Sequence, residues 1–294
     1  MTKTAFLNKI YTRVIPVIIL IAIGFVFLYP VLYMISTSLK SITDLLDPSV
    51  VWVPTKWYIE NYLQSIAVLD YWSLLLETIY VAALPAVLQT IVASAVGYGF
   101  ARFEFRGKNI LLGVLLATFI IPPQVLIIPR YLLFNQLNML DSIMAYALPA
   151  IAGQGINSAV FVLIFYQSFR TLPKALEEAA YIDGCGYFRT FISIAVPLQL
   201  ASFIISFLFS FVWYWNEVNL AAIYFGNSLS TLPLQLQRFT EAFNQMFVLN
   251  DAANVNEGIE MAGTFLSILP LLIVYFIFQR YFVESVDKSG ITGE

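Results

Sequence analysis

Residues 178–197 read EAAYIDGCGYFRTFISIAVP and lie between two long apolar runs. They open on the carboxylate of Glu178 and two alanines, Ala179 and Ala180, and continue through Asp183 to Gly184. The stretch from Leu172 to Asp183 has helical character. Pro173 falls in its first turn, where a missing N–H does no harm, and Gly184 supplies a stop. Leu172, Ala175, Leu176, Ala179 and Ile182 recur at helical spacing as one apolar stripe, with Lys174, Glu178 and Tyr181 on another face. The chemistry on offer is recognition. Glu178 is free to meet a basic group, and the stripe must be buried against membrane helices, a partner or the bilayer surface.

Covalent and metal chemistry are poorly provided for. The chain has no histidine and one cysteine, Cys185, which excludes an internal disulfide and a Cys/His metal site. No G-x-x-x-x-G-K-S/T occurs, so the chain has no phosphate-cradling loop of its own. Its Gly107-Lys108 pair runs into Asn109 and has no glycine five residues earlier. A catalytic nucleophile needs a positioned base, and nothing in the sequence suggests one. These residues disfavour an enzyme.

The elements around the polar stretch belong to a membrane. Of 294 residues, 60% are hydrophobic and 11% charged, with a net charge of -3 and a mean hydropathy of +0.81. A soluble domain carries about 25% charged residues. A bilayer core needs about 20 apolar residues in a helix. Six such runs predict spans at about 14–35, 72–101, 109–129, 142–169, 190–216 and 261–282, in one transmembrane domain covering 1–294. The polar stretch sits in the loop 170–189. The basic residues order the loops. Lys3, Lys9 and Arg13, then Arg102, Arg106 and Lys108, then Arg170, Lys174 and Arg189, then Arg280 and Lys288 share one side. Lys40, Lys56, Arg130 and Arg238 take the other, which accounts for all 15. The skew puts both termini and loop 170–189 in the cytoplasm of a multi-pass plasma or inner membrane protein.

Outside lie an aromatic-rich segment, 36–71, with Trp52, Trp57 and Tyr58, and an acidic one, 217–260, with Glu217, Glu241, Asp251, Glu257 and Glu260. Ion-coupled carriers keep carboxylates or histidines inside the membrane. Apart from Glu77, at the outer end of the second, the six runs hold none. Secondary transport is disfavoured, although backbone-coordinated ions leave it open.

Glu178-Ala179-Ala180, Asp183-Gly184 and Ile194-Ala195-Val196-Pro197 together resemble the EAA loop of ATP-binding-cassette importer permeases, with Val196 in place of the usual leucine. Gly97-Tyr98-Gly99-Phe100-Ala101-Arg102-Phe103, Ile121-Pro122, Ile128-Pro129, Trp215-Asn216-Glu217, Thr231-Leu232-Pro233-Leu234 and Gln279-Arg280-Tyr281-Phe282-Val283 are similar to segments of binding-protein-dependent sugar permeases of the maltose type. The tail 285–293 departs from that family, with Asp287 and Lys288 adding charge. The resemblance implies an all-α, six-span permease of the ABC type I importer fold. It implies four kinds of partner besides membrane lipid: a second permease subunit in a heterodimer, a dimer of ABC ATPase subunits, an extracytoplasmic solute-binding protein and a carbohydrate. It implies no cofactor in this chain, with ATP and Mg on the partner ATPase, and no nucleic acid. Glu178, Ala179, Ala180, Asp183 and Gly184 become ATPase-coupling residues.

For the substrate pathway the sequence offers Gln154 and Asn157 in the fourth span, Ser206 and Ser210 in the fifth, and Asn216 at its end. The serines repeat every fourth residue with Ser202, a pattern that close helix packing also produces. Two other readings stay open: an importer permease for a non-sugar solute, and a six-helix channel or secondary carrier.

Overall fold

The computed structural model describes residues 13–247 and 255–290, the side chains of 282–290 excepted. Lys3, Lys9, Asp251 and the tail side chains, Asp287 and Lys288 among them, lie outside the described residues. All regular structure among the described residues is helical. The main helices are α1 (Ile15–Ser38), α2 (Glu60–Leu69), α3 (Tyr71–Arg102), α4 (Lys108–Ile120), α5 (Ile127–Gln136), α6 (Met144–Ile151), α7 (Ser158–Arg170), α8 (Lys174–Ile182), α9 (Leu200–Asn216), α10 (Val218–Phe225), α11 (Phe239–Phe247) and α12 (Glu257–Gly290).

Three helices are long and apolar enough to cross a membrane as single rods: α1, α3 and the Glu257–Tyr281 part of α12. Two further candidate spans are bent pairs. Lys108–Ile120 meets Pro123–Gln136 at 93°, and Tyr187–Leu198 meets Leu200–Asn216 at 80°. The first bend has a covalent cause. Ile121 precedes a proline and is pushed to extended backbone, at φ −69° and ψ 121°. Pro122 and Pro123 have no N–H to leave unbonded at the break.

The run 142–169, expected as one span, is two helices. α6 and α7 are separated by residues 152–157, where Gly153 (φ +70°) and Asn157 (φ +53°) take the left-handed conformation. Membrane interiors offer freed backbone groups no water, and here two side chains replace it. Gln89 on α3 donates to the Ile156 carbonyl (2.8 Å), and the Ile156 N–H donates to the Tyr214 hydroxyl on α9 (3.2 Å). That hydroxyl donates in turn to Gln89 Oε1 (3.0 Å). Gly155 leaves room for the network, because an added Cβ would meet the Tyr214 hydroxyl at 2.5 Å.

The described residues pack as two compact units, one drawn from 1–71 and 238–269, the other from 72–237 and 270–294. In the first, Asn61 Nδ2 donates to the carbonyls of Ser38 and Lys40, both at 2.9 Å, and Ser65 donates to Ile259 at 2.8 Å. Lys40 Nζ donates to the Val50 and Val51 carbonyls, which pins the segment that follows α1. In the second unit, Ala93, Tyr98, Phe161, Val162, Phe165, Phe169 and Ala195 form an apolar core. Glu77 and Thr78 on α3 accept the backbone N–H groups of Ser230 (3.1 Å) and Leu232 (2.9 Å), fixing the T-L-P-L segment.

α3 and α7 touch at Gly97. A Cβ there would lie 2.6 Å from Phe165 Cβ and 2.9 Å from the Tyr166 nitrogen. Gly99, on the same helix, has nothing within 4 Å. Gly97→Ala is therefore expected to destabilise the purified protein by about 1–3 kcal/mol, the usual cost of overpacking. Gly99→Ala is expected to be neutral or to stabilise by up to about 1 kcal/mol, through helix propensity alone. Thermal unfolding in detergent compares the two, and the reverse ranking would overturn the close approach.

Candidate functional site

α8 is the polar stretch in folded form. Pro173 is extended at its start (φ −60°, ψ 126°). At its end the Cys185 N–H donates to the Ala180 carbonyl (2.9 Å) and the Gly184 N–H to that of Tyr181 (3.1 Å). With Gly184 at φ +83° this is a Schellman stop. An added Cβ on Gly184 would meet nothing within 4 Å. Backbone handedness, rather than lack of room, is what calls for glycine there.

The face that α8 turns to its own chain is not the apolar stripe. Its buried residues are Glu177 and Ala180. Glu177 Oε1 lies 2.8 Å from Arg102 Nε, with side chains 8% and 5% exposed. The contact is off the N–H direction, so Arg102 Nε has no hydrogen bond and the attraction is that of a close ion pair. Arg102 Nη2 donates to the Leu172 carbonyl (2.9 Å), and the Tyr98 hydroxyl donates to Glu177 Oε1 (3.3 Å). Burial raises the Tyr181 phenol above its ordinary pKa, so it stays neutral beside this pair. The last turn of α3 is thus tied to α8 by charge. Sequence spacing missed Glu177. The signal was available, since Tyr98 and Arg102 share a face of α3 one turn apart.

Of the expected coupling residues, Glu178, Ala179, Asp183 and Gly184 are exposed and Ala180 is buried. The stripe points outward as well: Leu176 is 43% and Ile182 87% exposed. Tyr187 and Phe188 continue this apolar surface past Gly186. Glu178 forms no salt bridge among the described residues.

A second feature is a cavity of about 340 Å³. Its walls include Leu111 and Phe119 of α4, Arg130 of α5, the broken segment from Gly153 to Asn157, Ser158 and Glu217. Of the residues offered for the substrate pathway, Gln154 and Asn157 line it. Ser206, Ser210 and Asn216 do not. Both serines are fully buried without hydrogen-bond partners among the described residues, which fits a packing stripe. Asn216 turns back to donate to the Val212 carbonyl (2.9 Å). Sequence reasoning missed Arg130, Glu217 and Ser158, which only the 93° bend and the broken span bring together. Glu217 also caps α10 by accepting the Leu220 N–H (3.0 Å).

Comparison with known proteins agrees with this geometry. Residues 89–288 match the family model described as "Binding-protein-dependent transport system inner membrane component". The chain is 30% identical over 272 residues to the "Probable ABC transporter permease protein YurM" of Bacillus subtilis, covering 90% of this chain and 84% of that protein. It is 27% identical over 283 residues to the "Arabinooligosaccharides transport system permease protein AraQ" of Halalkalibacterium halodurans, covering 93% and 96%. Among solved structures, a chain of a bacterial ABC transporter involved in the import of the acidic polysaccharide alginate superposes with a TM-score of 0.76. It shares 21% identity, over 94% of this chain and 98% of that one.

Two outcomes follow for α8. Glu177→Ala leaves the Arg102 guanidinium buried and unpaired, and is expected to cost about 3–5 kcal/mol. Glu178→Ala, on the exposed face, is expected to stay within about 0.5 kcal/mol. Gly184→Val is expected to cost about 1–2 kcal/mol for its left-handed backbone, and Gly184→Asn less. Unfolding midpoints of the purified variants test both. Equal losses at 177 and 178 would remove the distinction between the inward and outward carboxylates.

Proposed function

The chain belongs to the family of binding-protein-dependent transport system inner membrane components, and from that premise we propose that it forms half of a transmembrane pathway for a carbohydrate. Family membership makes it a multi-pass permease component of the inner membrane. It is not catalytic, and works with an ATPase and a binding protein. The finer reading adds a second permease as a heterodimeric partner, a dimer of ATPase subunits and alternating access. ATP and Mg then belong to the ATPase.

One observation carries this reading. α8 presents Glu178, Leu176 and Ile182 outward while Glu177 holds it to Arg102 at the end of a membrane helix. A force applied to the outer face therefore reaches α3 through a buried ion pair. Glu178, Ala179, Asp183 and Gly184 serve the docking surface, and Ala180 packs inward. Both termini and loop 170–189 are cytoplasmic in this reading, which the skew of the basic residues supports. A carbohydrate is supported by the motifs shared with sugar permeases and by the arabinooligosaccharide description of one relative. Gln154 and Asn157 lie on the pathway.

Two measurements test it. In a Cys185→Ser background, a cysteine at 178 is expected to resist a membrane-impermeant thiol reagent added outside intact cells. Labelling from outside would reverse the topology. Glu178→Ala with Leu176→Asp is expected to keep normal expression and to lose ATPase co-purification and uptake about tenfold or more. That is the scale of one charge-assisted bond, about 1.5–3 kcal/mol. Normal recruitment and uptake would reject docking through this face.

A further inference from the structure

Seven buried hydroxyls among the described residues have no hydrogen-bond partner. Such groups are costly and few in native proteins, so each calls for an explanation. Three of them gather in one place. Ser158, 6% exposed, lines the 340 Å³ cavity. Tyr146 and Tyr224, 3% and 2% exposed, line a recess of about 20 Å³ beside it. Arg130, Gln154, Gly155, Ile156 and Leu220 border both spaces, which makes them neighbours.

We propose that the cavity and its recess form a sugar subsite carried by this subunit itself, with the hydroxyls of Tyr146, Ser158 and Tyr224 bonding the hydroxyls of the passing sugar. The inference rests on the carbohydrate reading above and deepens it. The larger space lies in the range of ligand pockets, and the recess has room for one ligand hydroxyl or one water. A sugar hydroxyl both donates and accepts, so it satisfies a phenol or serine in either sense. Arg130 and Glu217 bring one charge of each sign to the wall. With both present the wall carries no net charge to select an anion or a cation. Phe100 and Phe119 offer aromatic surface for the C–H face of a ring. The site also sits where the backbone is unwound. Inside a membrane, unwound backbone is tolerated where it is buried in protein or lines a cavity, and interrupted helices mark the binding sites of many transporters.

The test exploits the missing partners. Because these hydroxyls bond nothing within the fold, deleting them is expected to leave stability unchanged or to raise it. Tyr146→Phe, Ser158→Ala and Tyr224→Phe are made singly and together in the complete transporter, reconstituted in proteoliposomes with its binding protein. Arabinotriose, lactose and diacetylchitobiose are the probes. Unfolding midpoints are expected to hold or rise. Uptake is expected to fall about 2- to 10-fold for each single change, the scale of one hydrogen bond, and further for the triple. ATP hydrolysis should be maintained, so that more ATP is spent per sugar delivered. Wild-type uptake by the triple variant would leave the cavity to water and overturn the subsite. A fall in midpoint that parallels the fall in uptake would also overturn it, as a fold effect. If the unaltered transporter hydrolyses ATP on meeting its binding protein but moves none of the three sugars, the carbohydrate reading fails instead.

Discussion

A polypeptide in hydrocarbon must bond its own N–H and C=O groups, because nothing around it will. This chain departs from continuous helix at several places, within its apolar runs and beyond them, and three of these departures show how the freed groups are met. At residues 121–123 two prolines remove donors from the bend. At 152–157 the side chains of Gln89 and Tyr214 take over the groups of Ile156. At 230–232, Glu77 and Thr78 accept the loose amides. In the last two cases the compensating groups lie on α3 or face it. That helix is the frame to which irregular backbone is fastened, and this is why polar residues are found along so apolar an element.

The same scarcity of water gives the Arg102–Glu177 pair its meaning. Each charge is strongly held because the other is there, and among the described residues neither forms another salt bridge. Adjacent residues on a helix point about 100° apart. Glu177 and Glu178 therefore divide one acidic dipeptide into an internal tether and an exposed, outward carboxylate. α8 is rigid toward its own chain and presents apolar surface away from it, an arrangement suited to passing on a push.

Much of this was legible in the residues. The helix between Pro173 and Gly184 and its glycine stop follow from backbone preference, and the fold shows both; of the apolar runs, three are single long helices and two are bent pairs. What hydropathy cannot see is interruption. Gly153-Gln154-Gly155-Ile156-Asn157 carries no charge, so the run 142–169 read as one span although its middle is unwound. Two glycines around an amide were the available warning. The stripe logic also failed on α8. It looks for apolar residues to bury, and here a carboxylate is buried because an arginine 75 positions away in sequence waits for it. The cavity was illegible for a related reason. Arg130, Ser158 and Glu217 belong to three separate segments, and only the 93° bend and the broken span bring them to one wall. Ser206 and Ser210 obeyed a pattern that packing and pore lining share, and burial separates the two.

The network that holds the broken span is built from an amide, a phenol and a peptide group, and in their neutral forms none carries charge. The tether at the end of α3 sums to zero as well. Moving a unit charge through the membrane field involves about 2.3 kcal/mol per 100 mV. Moving either of these assemblies involves almost none. Displacing these two assemblies is thereby nearly indifferent to the membrane voltage, whether a cell's membrane is strongly or weakly polarised.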